Sequence, residues 1–331
     1  MTEPSGETLD DVPPPPEPPP ILSSAQLEHL ISYGYVTVSL PTHLDEAIRT
    51  LFKDAHSFFA LEEDVKVKAF PARTGVRSTD SGYVHVPGEK EYVTFRFLVS
   101  EHDSNDEGAG IKTSVAQTWN DAARFLLRVL SDVGIGLDIP PYAWDHIVWD
   151  SLNMPRRREE AAPSLLRVFR YEPQGGVADP HRDVGLLTLS VSHGPGLQVW
   201  HRRRSTPRQT DGTEGGDTYS QDATEERPEW RDAGEMSIMI GDTLRILSGN
   251  RLCAAHHRVV ATETGRSSIV FTLRPSIRDI VDLSQFGGEG VVDGRLLWRA
   301  IANNRVNINA PMEVRQQQRL ALQQEGRLEA N

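Results

Sequence analysis

Three residues in this chain have the types and spacing that hold a redox metal. His181 and Asp183 are separated by one position, and His257 follows later in His257-Arg258-Val259. Two imidazoles and one carboxylate can occupy one face of an octahedron around Fe(II) and leave three positions for oxygen and an organic ligand. Residues i and i+2 of an extended strand point to the same side, so His181 and Asp183 would reach one ion together. Taken alone, His-x-Asp is a weak signal that is more often just the polar start of a strand, and the same ligand types bind zinc in hydrolytic sites. His256 competes with His257, but adjacent strand residues face opposite ways and one of the two must point elsewhere. Arg266 and Ser268 repeat the i, i+2 spacing. A guanidinium offers a planar fork that matches a carboxylate, and a serine hydroxyl adds a donor.

These residues need a scaffold, and the pattern after about residue 163 supplies short strands. Leu165 to Tyr171, Leu186 to Val191, Leu197 to Trp200, Met236 to Ile240, Thr243 to Leu247, Arg258 to Ala261 and Ser268 to Leu273 all read as strands. Short strands punctuated by Gly and Pro predict a double-sheet jelly roll. Upstream, Ser24 caps a short helix carrying Leu27, Leu30 and Ile31 that ends at Gly34, and Tyr35 to Leu40 alternates as a strand. Leu44, Ala47, Ile48, Leu51, Phe52, Ala55, Phe58 and Phe59 recur at helical spacing, as do apolar residues from about Val115 to Val133. Tyr92 to Val99 lies between them as a strand, and Leu296 to about Gly326 returns to helix with a break at Pro311. The fold class is therefore α+β, a jelly-roll core flanked by N-terminal and C-terminal helices.

The predicted organisation is a disordered proline-rich tail over 1–22, a helical and strand region over 23–160, the core over 161–295 and a C-terminal helical segment over 296–331. Two stretches read as insertions, the charged Pro155 to Pro163 and the polar segment at about 202–229. The net charge of -12 argues against a nucleic-acid groove, which needs a basic stripe to neutralise phosphates. Cys253 is the single cysteine, so no intramolecular disulfide forms, which suits a reducing compartment. No apolar run approaches the roughly 20 residues that span a bilayer. Met1 to Pro20 has neither the basic nor the apolar region of a secretory signal, and the expected location is cytoplasmic.

Taken in order, His181-Arg182-Asp183, the strand after Gly185, Gly196-Leu197-Gln198-Val199-Trp200, the Gly241-Asp242 turn, His257-Arg258-Val259 and Arg266-Ser267-Ser268 closely resemble one family. It is the isopenicillin N synthase-like family of Fe(II)- and 2-oxoglutarate-dependent oxygenases. Tyr35 to Val38, Phe58-Phe59-Ala60-Leu61, Ser81-Gly82-Tyr83 and Glu89-Lys90-Glu91 extend the resemblance to roughly residues 23 to 300. It implies a double-stranded β-helix core with iron on His181, Asp183 and His257, the last chosen over His256 because Arg258-Val259 follows it. It also implies 2-oxoglutarate and O2 as cosubstrates, with Arg266, Ser268 and Tyr171 holding the distal carboxylate of 2-oxoglutarate. The expected reaction is C–H oxidation of a small organic molecule in secondary metabolism, by hydroxylation, desaturation or related chemistry. By position, Tyr83, Phe95, Phe97, Arg170, Phe271, Leu273 and Phe286 are candidates for substrate contact, although such aromatics are also common core residues.

The chain departs from the plant form of the pattern at Arg170, at Ser248-Gly249-Asn250 and at Cys253-Ala254-Ala255, none of which is a predicted iron ligand. Three other readings share these residues. Isopenicillin N synthase itself uses its Arg-x-Ser pair for a substrate carboxylate, which makes a 2-oxoglutarate-independent oxidase an alternative. A catalytically inactive binding protein of the same fold is a second, and a zinc hydrolase is a third.

Overall fold

The computed structural model describes residues 18–74, 79–98, 109–202, 229–302 and 305–324. Most of the predicted tail over 1–22, nearly all of the segment at about 202–229, and Val99 lie outside the described residues.

The N-terminal part contains α1 (Ser24–Tyr33), β1 (Tyr35–Thr37), α2 (Thr42–Phe59), α3 (Glu63–Ala69), β2 (Arg73–Thr74), β3 (Thr79–Val86) and β4 (Lys90–Phe95). It continues with α4 (Ala109–Ile135) and α5 (Tyr142–Val148). The strand-rich part contains β5 (Leu165–Tyr171), β6 (Ala178–His181), β7 (Leu187–His193), β8 (Leu197–His201), β9 (Glu229–Asp232), β10 (Met236–Ile240), α6 (Asp242–Leu247), β11 (His257–Val259) and β12 (Arg266–Leu273). A hairpin of β13 (Ile280–Asp282) and β14 (Val291–Asp293) precedes α7 (Gly294–Ala302) and α8 (Met312–Gln324). The break between the last two helices includes Pro311, whose ring cannot continue a helix.

Eight strands form one sheet in the order β1-β10-β7-β12-β5-β4-β3-β2, and four form a second in the order β6-β11-β8-β9. All the pairings are antiparallel. Strand periodicity then sorts the large sheet into two faces. Leu166 and Val168 of β5, Ile269, Phe271 and Leu273 of β12 and Leu187, Leu189 and Val191 of β7 join the core built with α2 and α4. The alternate residues Phe169 and Tyr171 join a second core with Leu197 and Val199 of β8 and Val259 of β11, so the small sheet covers this other face. The molecule is layered as helices, large sheet and small sheet.

The helix cover follows from amphipathic sequence. In α2 the residues from Leu44 to Phe59 that recur at helical spacing are buried. In α4, Trp119 is fully buried and meets Phe271 edge-on at 5.0 Å between ring centroids. Burying side chains of this size contributes roughly 1.5–3 kcal/mol each. At the first helix the cap is Ser23, one residue before the predicted Ser24; its side chain accepts from the Gln26 amide, while the Gln26 side chain accepts from the Ser23 amide.

One predicted strand is a helix. Thr243 to Leu247 lies within α6, because the helix start is fixed by tertiary bonds that an apolar run of five residues does not reveal. The Gly241, Asp242 and Thr243 amides, which a helix start leaves unpaired, donate to the Leu186, Asp183 and Gly185 carbonyls at 2.9, 2.8 and 3.1 Å. The contact requires glycine, since a Cβ at Gly241 would come within 2.1 Å of the Gly185 carbonyl oxygen. Pro155 to Pro163 is anchored as well: Arg96 and Arg274 both donate to the Pro163 carbonyl, and Arg278 donates to that of Glu159.

Candidate active site

His181 ends β6 and pairs directly with His257 of β11, so neighbouring strands of the small sheet bring the two imidazoles together with ring centroids 4.1 Å apart. Asp183 is not on the same strand. β6 stops at His181, and Asp183 lies in the turn beyond it, held there by the α6 start through its own carbonyl. The i, i+2 spacing still delivers both side chains to one place. His181 Nε2 is 3.7 Å from Asp183 Oδ1, and His257 Nε2 is 3.9 Å from Asp183 Oδ2.

Backbone carbonyls fix the tautomers. His181 Nδ1 donates to the Asp179 carbonyl at 2.8 Å and His257 Nδ1 to the Ala255 carbonyl at 3.1 Å. Each Nε2 therefore presents its lone pair toward the carboxylate. Donors bonded at about 2.1 Å to one ion lie within about 4.2 Å of one another, so these separations fit a single metal ion. The protonation states fit too. Burial, reinforced by the adjacent His257, lowers the His181 pKa to about 3, keeping the imidazole neutral, the form that can bind a metal. Burial alone would raise Asp183, but the two imidazoles and the Thr188 hydroxyl, which donates to Oδ2 at 2.6 Å, hold it below the usual carboxylate value. Among the described residues, His181, Asp183 and His257 form a group able to hold a metal ion. His256 faces away and lies 5.6 Å from the Trp230 ring.

The turn carrying Asp183 has a second support that the sequence does not announce. Asp242 is almost fully buried at the start of α6. Its carboxylate meets Arg245 at 2.8 Å, Arg182 at 3.6 Å and Arg305, so the residue between His181 and Asp183 is tied to α6 and to the C-terminal segment. Thr188 was equally unmarked. Its signal is strand parity, because alternate β7 residues Thr188, Ser190 and Ser192 are polar yet buried.

Arg266 and Ser268 share the inter-sheet face of β12, and Tyr171 stands directly opposite Arg266 in the ladder. Arg266 Nη1 donates to the Gly194 carbonyl at 3.0 Å, whereas its buried Nε has no hydrogen-bond partner. A buried guanidinium N–H without an acceptor costs free energy, and a ligand carboxylate would satisfy it. Burial pushes the Tyr171 phenol up to about 12 against the pull of Arg266 and Arg167, which keeps it a neutral donor. An open cleft of ≈ 490 Å³ at this end of the sheet is lined by Tyr171, Gly194, Gly265 and Arg266 among others.

The seven candidates for substrate contact are not brought to this face. Tyr83, Phe95, Phe271, Leu273 and Phe286 are buried in the helix-side core. Tyr83 donates to Glu91 at 2.6 Å, and Phe286 packs 5.1 Å from Trp144. Arg170 is exposed on the helix side, paired with Glu91 and lying over the Phe59 ring. Phe97 follows β4 and lies under Arg73.

Comparison with known proteins adds independent observations. The model of the 2OG-Fe(II) oxygenase superfamily matches residues 163–275, which contain the three candidate ligands together with Tyr171, Arg266 and Ser268. The 2-oxoglutarate-dependent dioxygenase htyE of Aspergillus rugulosus is 26% identical over 270 residues, covering 71% of this chain and 73% of that protein. Among solved structures, a full-length Neurospora crassa protein in complex with alpha-KG and thymine superposes with a TM-score of 0.62 at 17% identity, over 85% of this chain and 90% of that one. A putative 2OG-Fe(II) oxygenase family protein from Caulobacter crescentus gives 0.59 at 19% identity, over 85% and 93%. At such identities the structural likeness speaks for the fold.

Proposed function

We propose that this chain is a member of the 2OG-Fe(II) oxygenase superfamily, whose model matches residues 163–275, and that with Fe(II), 2-oxoglutarate and O2 it oxidises a C–H bond of a small organic molecule in secondary metabolism. We read the two facing sheets as the family's jelly roll and residues 161–295 as its catalytic core; the match over 163–275 supports this. Residues 23–160 then form the N-terminal helical cover and 296–331 the C-terminal segment. The observation that carries the proposal is the convergence of the His181 and His257 Nε2 atoms on the Asp183 carboxylate, at 3.7 and 3.9 Å.

In this reading His181, Asp183 and His257 hold the iron. Arg266, Ser268 and Tyr171 hold the distal carboxylate of 2-oxoglutarate. When bound, the metal would activate O2, which supplies the oxidising equivalents, while 2-oxoglutarate is consumed as co-reductant. The chain's own residues do the rest. Thr188 orients Asp183, the Asp179 and Ala255 carbonyls orient the imidazoles, and Asp242 fixes the turn between the ligands. The 26% identity to a fungal 2-oxoglutarate-dependent dioxygenase supports the cosubstrate, and the thymine held by the Neurospora crassa protein supports a substrate of similar scale.

The deciding experiment measures O2 uptake and succinate release with Fe(II) and 2-oxoglutarate. Coupled consumption is expected. O2 uptake on a substrate with strict independence of 2-oxoglutarate would transfer Arg266 to the substrate and make the protein an oxidase, and hydrolysis without O2 uptake would replace both readings.

A further inference from the structure

A second cleft, of ≈ 350 Å³, lies on the helix side of the large sheet and is lined by α2 together with β5, β12 and β7. Its volume falls in the range of pockets that hold small organic molecules. Arg49, Lys53 and His56 stand on one stripe of α2, at helical spacing. Opposite them, Arg170, Ser267 and His193 form one row across three strands. Ser267 pairs with Arg170 on one side and with His193 on the other.

The lining is basic. Among the described residues it contains three cations, two imidazoles and no carboxylate, in a chain whose net charge is -12. Arg49 pairs with Asp45, yet its side chain stays 72% exposed. Arg170 pairs with Glu91, a carboxylate that also meets Lys66 at 2.8 Å and accepts from the Tyr83 hydroxyl at 2.6 Å. One negative charge is thus divided between two cations. The Lys53 ammonium is exposed and has no hydrogen-bond or ion-pair partner among the described residues.

The floor is apolar and largely aromatic. Phe52 and Phe59 of α2 and Val168 of β5 are buried there. The His193 imidazole is stacked on the Phe52 ring with centroids 4.0 Å apart, and the Arg170 guanidinium lies 5.8 Å from the Phe59 centroid. An apolar floor under a rim of cations matches a molecule with a flat apolar body and an anionic group at its edge. Neither a neutral ligand nor a bare inorganic anion uses both halves of this lining.

We propose that this cleft binds an aromatic carboxylate, with its anionic group on Lys53, Arg49 and Arg170 and its ring on Phe52 and Phe59. The large sheet lies between this cleft and His181, Asp183 and His257, so it is a second site and not the iron site. It adjoins the clamp, because the 490 Å³ cleft shares Arg170, Ser267 and His193 with it. Ser267 lies between Arg266 and Ser268, and His193 precedes Gly194, whose carbonyl accepts from Arg266. The proposal does not depend on the oxygenase reading, since the cations of the rim serve neither the metal nor the clamp.

The test uses the full chain with 2-naphthoate and the neutral 2-naphthamide as probes, read by ligand-observed NMR and calorimetry. The acid should bind roughly tenfold or more tightly than the amide, and added salt should erode that margin because the cations are exposed. Lys53→Glu, a change at an exposed position, should remove the preference without moving the melting temperature, and Lys53→Arg should keep it. Arg266→Ala, which alters the clamp, should leave the preference in place. Equal binding of acid and amide by the wild-type chain would overturn the inference without recourse to any variant. So would a preference that survives in Lys53→Glu, or one lost in Arg266→Ala, which would put the anion on the clamp. Succinate formation is followed separately, and its absence would sink the oxygenase reading while naphthoate binding through Lys53 upheld the cleft.

Discussion

The two faces of β5 and β12 are made from alternating residues of the same strands, yet they follow different chemistry. Toward α2 and α4 the strands present Leu166, Val168, Ile269, Phe271 and Leu273, closed against Trp119 and its neighbours. Toward the small sheet they present Arg167, Tyr171, Arg266, Ser268 and Thr272. The helix-side face stabilises by excluding water. The inter-sheet face carries buried polar groups, among them an Arg266 Nε without a partner, that an apolar core would not tolerate. A β-strand can hold a reactive site one residue away from its own foundation, and parity decides which role each side chain takes.

The sharpest way to break this comparison is to substitute on each face and ask what is lost. His257→Ala or Asp183→Ala should abolish turnover and metal binding while the melting temperature moves by a few degrees; retained turnover would remove the triad from the account. On the opposite face, Phe271→Ala should cost about 3–5 kcal/mol in denaturant unfolding, leaving turnover per folded molecule largely intact. A stable Phe271→Ala chain with lost turnover would make the helix side part of the substrate site. Arg266→Ala should raise the half-saturating 2-oxoglutarate concentration by roughly 10- to 100-fold, as expected for loss of hydrogen bonds to a charged group. An unchanged value would assign Arg266 to the substrate.

The smallest effect is a pH dependence of the metal-free protein. His181 has an ordinary pKa of 6.5 and, when folded, one lowered to about 3, chiefly by burial. As pH falls below 6.5 the unfolded chain takes up a proton that the folded chain resists, so this contribution to stability is present above 6.5 and lost on the way to about 3. His181→Asn removes that linkage. Its melting temperature relative to wild type should therefore rise as the pH is lowered from about 7 toward about 4. A difference constant with pH would mean that the imidazole is not held neutral by its surroundings.

Much of the inter-sheet face was legible in the sequence because the i, i+2 spacing survives any strand twist. That spacing correctly put Arg266 and Ser268 on one side, and Tyr171 fell opposite Arg266 because the strand Leu165–Tyr171 was read with its true ends. His181 and Asp183 converge for a different reason from the one the spacing offered, since Asp183 sits in a turn set by the amides of α6. Nothing local marks α6, whose few apolar residues fit strand and helix periods alike. Thr188 and Asp242 were missed because their importance lies in what faces them from other strands and from the C-terminal segment. Tyr83, Phe95 and Phe271 were nominated by residue type and proximity in sequence, and their parity sends them to the helix side.

The central claim is that the inter-sheet face holds iron and 2-oxoglutarate through separate sets of residues. The most direct measurement is an anaerobic titration of the metal-free full chain, first with Fe(II) and then with 2-oxoglutarate, followed by calorimetry and by the visible charge-transfer band of the ternary complex. The account predicts stoichiometric iron binding that disappears in His257→Ala, and a band that needs far more 2-oxoglutarate in Arg266→Ala although iron still binds. Iron binding that survives in His257→Ala, or 2-oxoglutarate saturation indifferent to Arg266, would contradict it.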